Sequence, residues 1–223
     1  MINIKNLSFS YNKIPPYILE NINLEIKKGD YVSILGDNGS GKSTLIKLLL
    51  KLLKPCSGTI QINTQKIGYV PQRFEGFNSQ FPVTIYEMLN CHRKALKIKD
   101  SSIVLNSLLK VDMLNYKNSL IGNLSGGQQQ KIFIARAMMG NPELLILDEP
   151  STGIDVQSQY EIYSLIKSLN TNLGITVVAI EHNLNAALVN SDYIFKLKNG
   201  KGQILSINDY KENFQEVMGY ASI

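Results

Sequence analysis

The stretch GDNGSGKST, residues 36–44, decides the fold of this 223-residue chain. It follows the apolar run Tyr31-Val32-Ser33-Ile34-Leu35, which is typical of a buried strand, and it precedes a leucine-rich run, 45–53, which predicts a helix. A loop of the form G-x-x-x-x-G-K-S between a strand and a helix is a P-loop. Its glycines allow the backbone to curl so that successive N–H groups point inward. The sequence therefore predicts an anion-binding loop at the start of a helix.

The side chains of this loop have the chemistry that binds a nucleoside triphosphate. We expect Lys42 to contact the β- and γ-phosphates of ATP and the Ser43 hydroxyl to hold Mg²⁺. A chain with 16 glycines in 223 residues would contain only about 0.01 such matches by chance. The predicted nucleotide contacts in the loop are Gly36, Asn38, Gly39, Ser40, Gly41, Lys42, Ser43 and Thr44.

Length and composition limit the class of protein. A chain of this length with 44% hydrophobic residues suits one domain with a subdomain. No apolar run reaches the roughly 18 to 20 residues of a membrane span, and residues 1–6 lack the pattern of a signal peptide, so we expect a soluble protein in the cytoplasm. The net charge of +5 is compatible with nucleic acid or an anionic membrane, but the scattered lysines favour a solvated surface. Cys56 and Cys91 are predicted to be reduced thiols.

Strand and helix patterns alternate along the rest of the chain, which indicates an α/β fold with a parallel sheet. We predict a P-loop NTPase core formed by 1–72 and 141–223, with an antiparallel β subdomain that begins with the alternating apolar residues of 1–26. Residues 73–140 are predicted to be an inserted helical subdomain that starts with a loop over 73–81. The predicted helices are 84–97, 101–110, 129–139, 156–169 and 183–189.

Two acids end the most apolar strand of the chain. Asp148 and Glu149 follow Leu144-Leu145-Ile146-Leu147, and ligands bind at the carboxyl ends of such buried parallel strands. Asp148 would hold Mg²⁺, and Glu149 would orient and deprotonate the attacking water. The alternative is that they are ordinary acids at the end of a strand. The P-loop earlier in the chain favours the catalytic interpretation.

A second helix start has residues suited to phosphate. In Leu124-Ser125-Gly126-Gly127-Gln128, Ser125 is able to cap the following helix, while the glycines leave the first N–H groups open to an anion. The alternative is a capped helix after a glycine-rich turn. In that case Ser125, Gly126, Gly127 and Gln128 have only a structural role.

Three further residues are weaker candidates when each is taken alone. Gln72 follows a strand and could contact Mg²⁺ or the attacking water, and His182 follows another strand and could contact the γ-phosphate. Tyr11 could stack its ring on adenine. Each of these residue types at such a position is more often structural.

Together these residues resemble the nucleotide-binding subunit of an ABC transporter. The resemblance covers nearly the whole chain and rests on Tyr11, GDNGSGKST (36–44), Gln72, LSGGQ (124–128), LLILDEP (144–150), STGID (151–155) and His182. It implies a head-to-tail dimer of two copies, with each ATP held between one copy's P-loop and the other copy's LSGGQ. It also implies that Tyr11 stacks on adenine, Gln72 couples to the transporter, Glu149 is the catalytic base and His182 senses the γ-phosphate. Asp37, STGID and Glu181 depart from the commoner family residues.

A narrower resemblance concerns the cargo. Residues 68–73, 81–85 and 128–136 are similar to those of subunits that energise uptake of zinc, manganese or iron. This implies an integral membrane permease, an extracytoplasmic solute-binding protein acting indirectly, and a position on the cytoplasmic face of the membrane. With two Cys and two His in the chain, we expect the subunit not to bind the metal itself. We expect Arg73, Phe74, Phe77 and Phe81 to anchor the permease.

Three alternatives to metal import remain open. The chain could serve an importer of another solute. It could be an ABC ATPase that acts on nucleic acid or the ribosome, although it has one cassette and no long coiled coil, and we expect no nucleic acid partner. It could be a small-molecule kinase, which LSGGQ and the pair Glu149 and His182 argue against.

Overall fold

The structure is a computed structural model that describes residues 1–72 and 82–212. The predicted loop at 73–81 lies outside the described residues. The strands are β1 (Ile2–Phe9), β2 (Leu19–Ile26), β3 (Tyr31–Leu35), β4 (Ser57–Ile62), β5 (Ile67–Val70), β6 (Leu144–Asp148), β7 (Thr176–Ile180), β8 (Tyr193–Lys198) and β9 (Lys201–Ser206). The α-helices with defined bounds are α1 (Lys42–Leu49), α2 (Ile85–Ala95), α3 (Ser102–Lys110), α4 (Gly126–Met138), α5 (Val156–Leu173) and α6 (Leu184–Asn190).

The chain forms two compact units. The first comprises Met1–Gln65 and the residues from Gly174 onward, and the second comprises Lys66–Leu173. The P-loop therefore belongs to the first unit, whereas LSGGQ and the acids at the end of β6 belong to the second.

A parallel sheet in the first unit carries the P-loop strand between two neighbours. β3 pairs in parallel with β7 on one side and with β8 on the other, and β9 pairs antiparallel with β8. Every residue of β3 is buried, as its continuous apolar run predicts. A separate antiparallel sheet has the order β2-β1-β4, which confirms the strand prediction for 1–26.

The turn between β8 and β9 links the two sheets of this unit. Asn199 and Gly200 form a two-residue hairpin turn with φ angles of 50° and 75°, the signs of a type I′ turn. The carbonyl oxygen of Gly200 accepts a hydrogen bond of 2.8 Å from the N–H of Glu20 in β2. Residues 207–212 are helical and pack Tyr210 against Ala187 of α6 and Ile194 of β8.

The second unit combines a strand pair with helices. β5 and β6 pair in parallel, with Val70 opposite Leu147, and the residues of β6 before Asp148 are buried. α4 packs against β5 and also against α3 and α5. Lys131 of α4 and Glu161 of α5 form an ion pair of 2.7 Å, which joins the two helices at their surface.

The helix after the P-loop differs from its predicted bounds. We expected a helix over 45–53, but α1 begins at Lys42 and ends at Leu49. Lys51 has a φ of 59°, and the N–H of Leu52 donates to the carbonyl of Lys47 at 2.9 Å. This is a Schellman motif, in which Lys51 occupies the left-handed position that is usually a glycine.

Two later helices also extend beyond the predicted ranges. We expected a helix over 129–139, but α4 begins at Gly126, directly after its cap. α5 runs from Val156 to Leu173, one turn further than the predicted 156–169, and ends before Gly174, which has a φ of 65°.

Among residues 1–72 and 82–212, no helix combines the length and the hydropathy that crossing a bilayer requires. Cys56 and Cys91 are free thiols, in agreement with the prediction.

Candidate functional site

The P-loop connects the end of β3 to the first turn of α1. Gly41 precedes the helix with a φ of 102°, a conformation that glycine adopts without strain. An added Cβ at Gly41 would lie 2.8 Å from a methyl carbon of Leu19. At Gly36 an added Cβ would lie 2.2 Å from the carbonyl oxygen of Leu197 in β8. Glycine is therefore required at both ends of the loop.

The start of α1 has no side-chain cap. Gly41 stands at the N-cap position and has no side chain to accept a hydrogen bond. The first N–H groups of a helix lack partners within the helix, and the helix dipole places partial positive charge there. This helix start is therefore suited to a phosphate group.

Two side chains of the loop fit a bound phosphate. The Lys42 ammonium group is buried and donates to the carbonyls of Gly36 at 2.7 Å and Asp37 at 3.0 Å, which holds its charge within the loop. The hydroxyl of Ser40 is buried and, in the described part of the chain, has no hydrogen-bond partner. Burying a hydroxyl without a partner is unfavourable, so a ligand oxygen would satisfy it. Ser43, the predicted Mg²⁺ ligand, is exposed.

His182 lies at the same edge of the parallel sheet as the P-loop. Ile180 of β7 is opposite Ile34 of β3, and the N–H of Glu181 donates to the carbonyl of Ile34 at 3.1 Å. As a result, His182 and the P-loop residue Gly36 line one cavity of about 430 Å³. The structure thus brings His182 beside the loop whose ligand it was predicted to contact.

Tyr11 is exposed in the segment that follows β1. Its ring meets the ring of Phe9 edge to face, with 5.2 Å between the centroids, and 58% of the residue is exposed. The N–H of Ile18 donates to the carbonyl of Phe9, and Ile18 approaches Gly41 of the P-loop. The ring of Tyr11 is therefore accessible for stacking on a planar base.

In the second unit, Gln72 and Glu149 are in direct contact. Glu149 follows β6 with a φ of 51°, a left-handed conformation that is uncommon for a residue with a side chain. Its Oε2 accepts hydrogen bonds from Nε2 of Gln72 and, at 3.0 Å, from Oγ1 of Thr152. Residues 77 positions apart in the chain thus converge on one carboxylate.

Two residues of this region, Thr152 and Tyr69, were not among the predicted site residues. The Tyr69 hydroxyl hydrogen-bonds the carboxylate of Asp148, and burial together with that negative charge raises the pKa of Tyr69. Tyr69 lies in β5, beside β6, and so it was identifiable only by the pairing of the two strands. Thr152 stands in STGID, and the sequence gives no reason to choose this residue over its neighbours.

LSGGQ forms a capped helix start. The Ser125 hydroxyl accepts from the N–H of Gln128 at 3.3 Å, and the Gln128 side chain accepts from the N–H of Ser125 at 3.1 Å, which is a capping box. The predicted cap is confirmed, and Gln128 has the additional role of completing the box. Gly127 allows α5 to approach, since an added Cβ would lie 2.5 Å from Ser158.

The STGID segment between β6 and α5 is held by α5. The Ser151 and Tyr163 hydroxyls share a buried hydrogen bond of 2.6 Å. The Asp155 carboxylate accepts from the N–H of Ser158 at 2.9 Å, and this hydrogen bond holds the pKa of Asp155 below its usual value. The segment is therefore fixed at both of its ends.

Comparison with known proteins agrees with these features. The ABC transporter family matches residues 19–152. A probable metal transport system ATP-binding protein of Treponema pallidum is 47% identical over 214 residues, covering 96% of this chain and 90% of that protein. The high-affinity zinc uptake system ATP-binding protein ZnuC of Bacillus subtilis is 38% identical over 90% of this chain and 92% of its own length. A dimeric ATP-binding cassette solved with ADP and phosphate is 30% identical, covers 93% of this chain and 99% of its own, and superposes with a TM-score of 0.75.

Proposed function

Because this chain belongs to the ABC transporter family and is an ATPase of that family, we propose that it drives import of a divalent transition metal through a membrane permease. The observation that carries the ATPase part is the P-loop, with its uncapped helix start and its buried Lys42. The relatives named for metal transport and for zinc uptake support the cargo, together with the sequence resemblance of residues 68–73, 81–85 and 128–136.

We assign the nucleotide-binding roles as follows. The P-loop N–H groups and Lys42 bind the phosphates of ATP, and Tyr11 stacks on adenine. Ser43, Gln72 and Asp148 would hold Mg²⁺, which would neutralise phosphate charge. The hydrogen bond from Tyr69 to Asp148 fixes the orientation of that carboxylate.

Glu149 is the proposed general base and His182 its partner at the γ-phosphate. An anionic carboxylate takes the proton of the attacking water as the water oxygen bonds to the γ-phosphorus. The bond between the γ-phosphorus and the β–γ bridging oxygen breaks in the same step, and ADP leaves with the electron pair. The imidazole of His182 then contacts the γ-phosphate oxygens. The left-handed backbone at Glu149 supports this role, since conformations of this kind cluster at functional sites.

The proposed active form is a head-to-tail dimer in which Ser125, Gly126, Gly127 and Gln128 of one copy bind the γ-phosphate held by the other copy's P-loop. The similar cassette that was solved as a dimer with ADP and phosphate supports a dimer. A head-to-tail dimer explains why one chain has two helix starts suited to phosphate. Such a dimer works on the cytoplasmic face of the membrane beneath its permease, which in turn receives metal from an extracytoplasmic binding protein.

We propose that residues 73–140 form a helical subdomain that contacts the permease. Four predicted anchors, Arg73, Phe74, Phe77 and Phe81, lie outside the described residues. The proposal for them rests on their residue types, since aromatic side chains and arginine dominate interface energetics.

The test of ATP hydrolysis is Glu149→Gln, which retains the shape of the side chain but is unable to accept the proton. ATP binding should persist, hydrolysis should fall at least about 100-fold, and ATP should accumulate in a dimer visible by gel filtration. Glu143→Gln is the matched control, because Glu143 stands before β6 and its carboxylate forms a surface ion pair with Lys66. Hydrolysis that persists in Glu149→Gln would exclude Glu149 as the base.

The test of the cargo is elemental analysis of cells. Deleting the gene should lower cellular zinc, manganese or iron, and a plasmid copy should restore it whereas a Lys42→Ala copy should not. Unchanged metals with reduced uptake of another solute would show an importer for that solute instead. Calorimetry of the isolated subunit without nucleotide should show no tight zinc or manganese site, and a stoichiometric tight site would contradict the proposal that the metal never touches this chain.

A further inference from the structure

The turn that follows β6 places a hydroxyl on the proposed catalytic base. Thr152 Oγ1 donates to Oε2 of Glu149 at 3.0 Å, and the backbone N–H of Thr152 donates to the carbonyl of Glu149 at 3.2 Å. Donor and carboxylate are three residues apart in one turn. The hydroxyl therefore contacts the carboxylate through a local arrangement that needs no other segment of the chain.

The turn itself is anchored on its C-terminal side. Ser151, next to Thr152, is buried and shares the 2.6 Å hydrogen bond with the Tyr163 hydroxyl of α5. The Gln159 side chain, also on α5, donates to the carbonyls of Ser151 at 3.3 Å and Ile154 at 3.1 Å. Thr152 is therefore held by backbone contacts that a change of its own side chain leaves in place.

Gln72 is a less suitable residue for holding Glu149 during the reaction. Its amide nitrogen also donates to Oε2 of Glu149, but its amide oxygen is a proposed ligand of Mg²⁺. Contact with the metal, and not only with Glu149, would therefore set the position of the Gln72 side chain. Thr152 has no other assigned contact and moves with Glu149, because both belong to the same turn.

We propose that Thr152 is a positioning residue that holds the Glu149 carboxylate in the orientation that accepts the proton of the attacking water. A glutamate side chain has three rotatable bonds, and its backbone here is in an uncommon conformation, so an unrestrained carboxylate would spend much of its time elsewhere. The inference rests on the proposed role of Glu149. It adds a residue that the sequence alone gave no reason to choose.

The test compares three substitutions that preserve side-chain shape or chemistry. Thr152→Val removes the hydroxyl and should lower kcat about tenfold, because the lost hydrogen bond orients the proton acceptor. KM for ATP and the melting temperature should stay nearly unchanged, because this hydrogen bond is exposed and joins two side chains rather than a side chain and the nucleotide. Thr152→Ser keeps the hydroxyl and should restore kcat to within about twofold. Thr171→Val is the matched control, because Thr171 is exposed on α5 and its hydroxyl bonds the carbonyl of Lys167.

A double substitution distinguishes positioning from a general structural effect. If Thr152 acts through Glu149, then adding Thr152→Val to Glu149→Gln should lower the residual single-turnover rate by less than about twofold. A further tenfold loss in that background, or normal kcat in Thr152→Val alone, would overturn the positioning role and leave the base assignment intact. Normal hydrolysis in Glu149→Gln alone would overturn both the base role of Glu149 and the positioning role of Thr152. The two failures are therefore distinguishable.

Discussion

The helix starts of α1 and α4 are both predicted to bind phosphate, but they are built in different ways. α1 follows Gly41, which has a left-handed backbone and no side-chain cap. α4 follows Ser125, whose hydroxyl and whose N–H are both engaged by Gln128 in a capping box. One helix start leaves its amide groups for a ligand, and the other satisfies part of its own hydrogen bonding.

This difference indicates that the two helix starts have different roles in binding ATP. A bare helix start with a buried cation is organised to bind an anion within a single chain. A self-capped start is stable without a ligand, and Ser125 and Gly126 are exposed to an approaching molecule. We therefore expect the first to set ATP affinity and the second to act only when two copies meet.

The largest expected effect is that of Lys42→Ala. Without the buried ammonium group the β- and γ-phosphates lose their cation, so ATP affinity and hydrolysis should each fall at least about 100-fold. Lys47→Ala is the control, because Lys47 is exposed on the same helix. Fluorescence titration with an ATP analogue and a phosphate-release assay measure the two effects. Wild-type affinity in Lys42→Ala would contradict the role given to the start of α1.

The next effect separates hydrolysis from binding. Ser125→Arg should abolish hydrolysis while ATP affinity of the single chain stays within about threefold, because the large side chain blocks only the helix start that meets the other copy's nucleotide. Ser101→Arg is the control, since Ser101 precedes α3 and makes no side-chain cap. Normal hydrolysis in Ser125→Arg would disprove the sandwich arrangement.

A mixed dimer sharpens this test. Pairing one Lys42→Ala copy with one Ser125→Arg copy places both lesions in the same composite site and leaves the other site complete. Each mixed dimer should reach up to about half of the wild-type rate, and an equal mixture with random pairing up to about a quarter, although each variant alone is inactive. A mixture that stays inactive would indicate that the two helix starts do not meet in trans.

The smallest effect concerns stability. Gly41→Ala should lower the free energy of unfolding by at least about 1–2 kcal/mol, since the φ of 102° is strained for alanine and Leu19 lies in the way. Ser125→Ala should lower it by about 1 kcal/mol through loss of the cap. Gly140→Ala is the control, because an added Cβ there meets no atom within 4 Å. Urea denaturation measures the free energy of unfolding of each variant. A larger loss of stability in Ser125→Ala than in Gly41→Ala would contradict the expected order.

Features formed by neighbouring residues could be predicted from the sequence. The strand–loop–helix order of the P-loop and the Ser125 cap each depend on a few consecutive residues, so their patterns appear directly in the chain. The end of α1 was mispredicted, because Lys51 adopts a left-handed conformation that the surrounding leucine-rich sequence does not predict. His182 was a weak candidate until the pairing of β7 with β3 placed it beside Gly36.

By itself the sequence determined the α/β class, the anion-binding loop and the second helix start, because periodicity, glycine conformation and capping act over a few residues. Only the tertiary structure decided which distant groups meet. Gln72 reaches Glu149, and Tyr69 reaches Asp148, because β5 pairs with β6. The contact of Thr152 with Glu149 lies within one turn, but the conformation of that turn was not readable from the sequence pattern. The physical reason is that hydrogen bonds between side chains depend on ångström-scale distances, which sequence separation does not define.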